Sequence, residues 1–247
     1  MTDLINLPVT IIGASRGLGR TIAETFHRLG ARVLVTARGQ ADLDTLAREV
    51  PGIRTLACDA SAPGTPDKVL AVQVPRILVL CGGAMPVCEP FDAMDWEAFS
   101  IHWDNDVRMS FNFLQAALKR PLPAGTTIVT ISSGAVVNGS PISGGYARAK
   151  RMQIFMSSYA QKESDRADRG LRFLALSPAR LMPETDIGKA AVTGYAAYTG
   201  ATEAAFLEMI GATQTPQQVA DAILDLIEDA QPGGSFIVSP DSVEVLN

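Results

Sequence analysis

The feature that most constrains this 247-residue chain is a regular alternation of two hydrophobic periods. Short apolar runs at 9–13, 32–36, 53–57, 77–80, 127–132, 172–176 and 235–238 have the length of strands. Between them lie amphipathic stretches of helical period at 17–29, 42–49, 95–119, 146–165 and 216–229. The segment 60–74 holds Pro63 and Pro66 and is followed by Pro75, so it should form only a short or poor helix. Strands alternating with helices predict βαβ units around a parallel sheet. Right-handed crossovers then place helices on both faces. The expected fold is a doubly wound α/β sheet of about seven strands, with no composition shift to mark a domain boundary. Residues 1–247 therefore read as one domain. The stretch 177–211 breaks the alternation and is rich in Ala, Gly, Thr and Tyr. Such an insert is either a lid over a substrate site or a helical excursion that only packs.

Composition narrows the partners. Apolar residues make up 47% and charged residues 19%, with a net charge of −5 and no basic block, which disfavours nucleic acid. Cys58, Cys81 and Cys88 are irregularly spaced, and the two histidines, His27 and His102, are far apart, so neither a disulfide framework nor a zinc pattern emerges. The opening "MTDLINLPVT" lacks a basic region followed by an apolar core, and no apolar run approaches membrane-spanning length. A soluble cytoplasmic protein is expected.

The motif "IIGASRGLGR" (11–20) follows the first strand and opens the first helix. Gly13, Gly17 and Gly19 allow a tight turn and close approach of a pyrophosphate, which the helix N-terminus would attract. Arg16 lies in this loop and Arg38 just past the second strand, where no carboxylate stands. An arginine there suits a 2′-phosphate, so NADP(H) is favoured over NAD(H). Asp59 in "LACDA" could accept from an adenine amino group or cap the next segment.

The fifth strand runs into Ser132 and Ser133, at the strand end where open parallel sheets bind ligands. Thirteen residues after Ser133 comes Tyr146, and four later Lys150. A helix starting near Gly145 puts the last two on one face. There an ammonium favours the phenolate, as acid/base chemistry requires. Ser133 could donate to a substrate oxygen. Trp96 and Trp103 have core or interface spacing, Met152 and Met156 are read as packing residues, Cys81 and Cys88 as inert thiols, and His102 as a surface or interface residue.

With "GASRGLG", "LACDA", "ISSGA" and "YARAK" in this order, the chain resembles the short-chain dehydrogenase/reductase family over nearly its whole length. The resemblance implies a Rossmann-type fold, a nicotinamide cofactor and hydride transfer between an alcohol and a carbonyl. It implies that Tyr146 donates or accepts the proton, that Lys150 eases that transfer and binds the nicotinamide ribose, and that Ser133 orients the substrate oxygen. It carries cofactor contacts to Gly13, Ser15, Arg16, Gly17, Leu18, Gly19, Arg38, Asp59, Ala60, Gly82, Gly83, Tyr146, Lys150, Pro178 and Thr185. Family members commonly pair their long helices, so a homodimer or homotetramer is expected. Three departures stand out. "ILVLCGGAMP" replaces the usual Asn-Asn-Ala-Gly after the fourth strand. Pro178-Ala179 replaces Pro-Gly, leaving Thr185 as the nearest threonine for the carboxamide. Asp106 replaces the central-helix asparagine that positions a relay water, and should raise the basicity of Lys150. The expected function is an NADP(H)-dependent carbonyl reductase or alcohol dehydrogenase. The alternatives are a catalytically impaired dinucleotide-binding regulator and a non-redox lyase or isomerase using the same tyrosine.

Overall fold

A computed structural model describes residues 4–229 and 233–246. The opening stretch read above for a leader begins with residues 1–3, which lie outside the described residues. Seven strands run parallel: β1 (Pro8–Ile12), β2 (Arg32–Ala37), β3 (Arg54–Ala57), β4 (Ile77–Leu80), β5 (Thr127–Ile131), β6 (Arg172–Pro178) and β7 (Gly234–Val238). An eighth, β8 (Val243–Val245), pairs antiparallel with β7 at the edge. The order β3-β2-β1-β4-β5-β6-β7-β8 reverses direction between β1 and β4, which opens a crevice at their carboxyl ends. The predicted strands fall within two residues of those observed, and β8 is the one not anticipated. Its three residues are all exposed, and a turn in which Ser239 Oγ accepts from Ser242 N at 3.0 Å folds it back.

The central strands β1, β4, β5 and β6 are buried on both faces, and the alternation of side chains along the sheet divides the core. Val9, Ile11, Val33, Val35, Ile77 and Val79 face one way. They pack under α1 (Gly17–Arg28), α2 (Gln40–Glu49) and α10 (Pro216–Glu228), through Ile22, Phe26, Leu43, Leu46, Val219 and Ile223. Ile12, Leu34, Leu78, Leu80 and Ile128 face the other way, against α3 (Thr65–Val72), α5 (Arg108–Lys119) and α7 (Tyr146–Arg166). The two-residue side-chain period of a strand makes this division automatic. As the prolines predict, α3 is only eight residues long.

The single long helix expected at 95–119 is interrupted. Asp95 caps α4 (Trp96–His102) by accepting from Ala98 N at 2.8 Å; a π-helical turn follows at Trp103–Val107, and then α5. Trp96 and Trp103 are 76% and 54% exposed, which rules out the core reading of their spacing. Met152 and Met156 do pack against the second core layer. The short α6 (Ala135–Asn138) follows β5. The insert after β6 forms α8 (Asp186–Thr199) and α9 (Glu203–Ile210), which share a small core of Val192, Ala196 and Phe206. Tyr195 stacks on Phe206 with centroids 5.5 Å apart and donates its phenolic proton to Ser140.

Candidate active site

A cleft of about 360 Å³ lies across the carboxyl ends of the strands. Its floor begins where β1 turns into α1. Gly13 has φ +79°, and a Cβ there would stand 2.3 Å from the Cα of Gly82, so β1 and β4 approach too closely for any side chain. The amides of Gly13 and Ala14 donate to Thr36 O at 2.8 and 3.1 Å, which pins the loop to β2. The first turn of α1 has no side-chain cap and no acidic residue. Its free amides and positive dipole end therefore face the cleft, an arrangement suited to a pyrophosphate.

The loop residues Gly13, Ser15, Arg16, Gly17, Leu18 and Gly19 line this end, together with Arg38, Asp59 and Ala60. Arg38 is exposed, directly after β2. Asp59 accepts from the hydroxyl and the amide of Ser61 at 2.8 and 2.9 Å, and these bonds hold its carboxyl below the ordinary range, with Arg38 adding to the effect. Arg16 is already engaged, pairing with Asp186 at the start of α8 at 3.1 Å. Thr185 lines the cleft, but its hydroxyl is committed to capping α8: it donates to Met182 O at 2.8 Å and accepts from Gly188 N at 3.0 Å.

At the other end, β5 delivers Ser132 and Ser133, and α7 delivers Tyr146 and Lys150 from its first two turns. The two serines differ in role. Ser132 Oγ is buried and donates to Lys150 O at 2.9 Å, locking strand to helix. Ser133 Oγ accepts from Ala135 N at 3.2 Å, which leaves its own proton to be donated into the cleft. Lys150 Nζ lies 5.6 Å from the centre of the Tyr146 ring. Ser133, Tyr146, Lys150, Gly82, Gly83 and Pro178 all line the cleft.

Asp106 lies just behind this wall, fully buried, while its neighbour Asn105 faces the cleft. Its Oδ2 pairs with Lys150 Nζ at 3.2 Å, and its Oδ1 accepts from Ala84 N at 2.8 Å. A Cβ on Gly83 would come within 2.7 Å of the carboxylate, so the glycine in the altered "LCGGA" run is what admits it. Burial works against both charges. For Asp106, the attraction of Lys150 and the bonds from His102 and Ala84 outweigh it, and its carboxyl falls below the usual carboxylate range. For Lys150, the carboxylate outweighs burial and the ammonium is held above the usual lysine range. The neighbouring Cys81 thiol is pushed by burial up to about 11, so it stays protonated and inert.

His102 is the clearest correction to the sequence reading. It is 1% exposed, not a surface residue: its Nδ1 lies 3.4 Å from Asp106 Oδ1, and its ring meets that of Tyr146 edge-on at 5.0 Å. Its spacing of four from Asp106 could have revealed it, since residues i and i+4 share a helix face. Arg180 also lines the cleft unpredicted, two residues beyond β6.

A family model described as enoyl-(acyl carrier protein) reductase matches residues 13–235. The chain belongs to the short-chain dehydrogenase/reductase family. It is 31% identical to the L-xylulose reductase of Bos taurus over 131 residues, covering 52% of this chain and 54% of the relative. The chain thus spans about half the length of the curated relatives it matches first. A short-chain dehydrogenase/reductase from Brucella melitensis, named as a glucose/ribitol dehydrogenase, superposes with a TM-score of 0.79 at 24% identity, over 96% of this chain and 97% of that one. An actinorhodin polyketide ketoreductase crystallised with NADPH gives 0.82 at 21% identity, over 95% and 96%. At these identities, the structural likeness speaks for the fold.

Proposed function

We propose that this chain is an oxidoreductase that interconverts a carbonyl and an alcohol with NADP(H), with Tyr146 as general acid/base. The observation that carries the reading is the placement of Tyr146 beside an ammonium fixed by a buried carboxylate, on the wall of a cleft that starts at an uncapped helix N-terminus. The Gly13–Gly82 contact and the open first turn of α1 fit a dinucleotide, with Ser15, Arg16, Leu18, Gly19, Asp59 and Ala60 along its course. Arg38, exposed where β2 ends, is the residue for a 2′-phosphate. When bound, the nicotinamide supplies or takes up a hydride.

The remaining work falls to the chain. In the reducing direction, the Tyr146 hydroxyl gives its proton to the substrate oxygen and Ser133 donates a hydrogen bond to the same atom. Lys150 keeps a fixed positive charge near the phenol that gives up the proton. Leu181, Met182 and Ile187 bring the start of the 177–211 segment over the cleft, and this segment acts as the substrate lid of a single catalytic domain. The substrate is a small carbonyl or alcohol compound, in line with the reductase names of the relatives.

Turnover of NADPH with a panel of aldehydes and ketones, followed by nicotinamide absorbance, tests this reading. It predicts carbonyl-dependent NADPH oxidation, faster than with NADH. Cofactor binding without any turnover would favour the regulatory alternative. Substrate loss with unchanged nicotinamide absorbance would favour a lyase or isomerase.

A further inference from the structure

His102 is buried and titratable, and the mechanism above gives it no task. It ends α4, immediately before the π-helical turn that holds Asp106. Its surroundings are restrictive. Nδ1 faces the Asp106 carboxylate at 3.4 Å, the ring meets that of Tyr146 in a T-shaped contact, and among the described residues Nε2 is buried with no hydrogen-bond partner. The charged and titratable groups around it are Asp106 on the same helical run and, from α7, Tyr146 and, across the carboxylate, Lys150.

These contacts distinguish the three proton arrangements of an imidazole. A bare Nδ1 would set its lone pair against the lone pairs of Asp106, which repel it. A doubly protonated ring would add a second buried cation next to the Lys150 ammonium and would still leave Nε2 without a partner. Protonation at Nδ1 alone gives the carboxylate a donor and leaves the unpartnered nitrogen as a bare acceptor. Asp106 then has Ala84 N–H and His102 Nδ1–H on Oδ1 and the Lys150 ammonium on Oδ2. Two donors on one oxygen fix the rotation of the carboxylate, so the other oxygen stays on the lysine.

We propose that His102 is a positioning residue of this site: as the Nδ1–H imidazole it orients Asp106 toward Lys150 and, by its ring contact, sets the Tyr146 phenol beside that ammonium. This rests on the function proposed above. It adds a residue that acts only through its neighbours and makes no contact with substrate.

The chain has only two histidines, so 15N-histidine labelling of the full protein gives two ring systems, with His27 as the internal reference. The expected spectrum shows His102 protonated at Nδ1 and bare at Nε2; a ring protonated at Nε2 would overturn the assignment. Two variants test the consequence. In His102→Asn the side-chain amide nitrogen takes the place of Nδ1, whereas in His102→Gln it reaches toward Nε2. Asn should keep kcat near the parental value. Gln should lose about tenfold or more, the scale of a misplaced supporting group, with little change in substrate KM. Equal kcat for the two, whether both high or both low, contradicts the proposal. If the parent protein shows no nicotinamide-dependent turnover, the proposed function fails on its own, and the spectrum still decides the orientation of His102.

Discussion

At the scale of residues, the Lys150–Asp106 pair sets the electrostatics of the site. Side-chain exposures of 7% and 1% make it a buried ion pair, of the kind in which removing one partner costs about 3–5 kcal/mol. Its pH behaviour follows from the two shifts. Asp106, held below the carboxylate range, contributes stability above the unfolded value of about 3.9 and loses it as pH falls through its lowered folded value. Lys150, held above the lysine range, contributes below about 10.4 and loses it as pH rises through its raised folded value. The pair's contribution should therefore be flat across neutral pH. In Asp106→Asn the largest raising influence is gone, and burial pulls the lysine down against only the weaker attraction of Tyr146 and Cys81. The unfolded state then binds more protons, so stability should rise with pH where the parent's does not. Thermal melts at neutral and alkaline pH read this directly. The same variant should lose activity at a lower pH on the alkaline side, because the ammonium is lost sooner. An unchanged alkaline limb would contradict the role given to Asp106. Arg38→Ala should weaken NADPH while sparing NADH, since only the 2′-phosphate needs a charge-assisted contact there; equal weakening of both in binding titrations would argue against it.

At the scale of elements, the strands and most helices are legible because each has one dominant period and is bounded by Gly, Pro or a cap. Thr215 and Gln218 form a capping box at the start of α10, and Gly200 closes α8 with φ +69°. The site residues are legible for a related reason: the glycine loop and the Tyr146–Lys150 pair are local in sequence. What stays hidden is set by tertiary contact. The π-helical turn at Trp103–Val107 leaves no mark on an amphipathic pattern, yet it holds the buried Asp106. The burial of His102 depends on α7 crossing that turn, where Gln153 Nε2 donates to Asp106 O at 3.1 Å and to Ser110 Oγ at 2.7 Å. The link between the glycine loop and α8 is also long-range. In the proposed function Arg16 would trade Asp186 for a phosphate, and exposed pairs of this kind are worth about 0–1 kcal/mol. Asp186→Asn should accordingly tighten NADPH by no more than about fivefold in a binding titration, and weaker binding would refute the competition.

At the scale of the whole molecule, the centre of the sheet is buried on both faces, but the outer surfaces of the central helices carry exposed apolar side chains. Trp103 is exposed on the π-helical turn, Phe111 on α5, and Phe155 and Tyr159 on α7, the last two stacked with centroids 6.4 Å apart. Arg151 lies over the Phe155 ring at 5.2 Å. Two copies meeting along these helices would cover this surface, and a homodimer or homotetramer is the expected assembly. Light scattering at micromolar concentration should give a multiple of the chain mass, reduced in Phe155→Glu; a monomeric parent would remove the idea. Among the described residues, no helix is long and apolar enough to cross a membrane.

The central claim is that Tyr146 moves the proton while a nicotinamide moves the hydride. Tyr146→Phe tests it most directly, because it deletes the transferable proton and keeps the ring that packs against His102. The variant should fold and bind NADPH like the parent, by thermal melt and binding titration. Its turnover, measured by nicotinamide absorbance with a carbonyl substrate that the parent reduces, should fall by about two orders of magnitude or more. A Tyr146→Phe protein that reduces the same substrate at the parental rate would contradict the account.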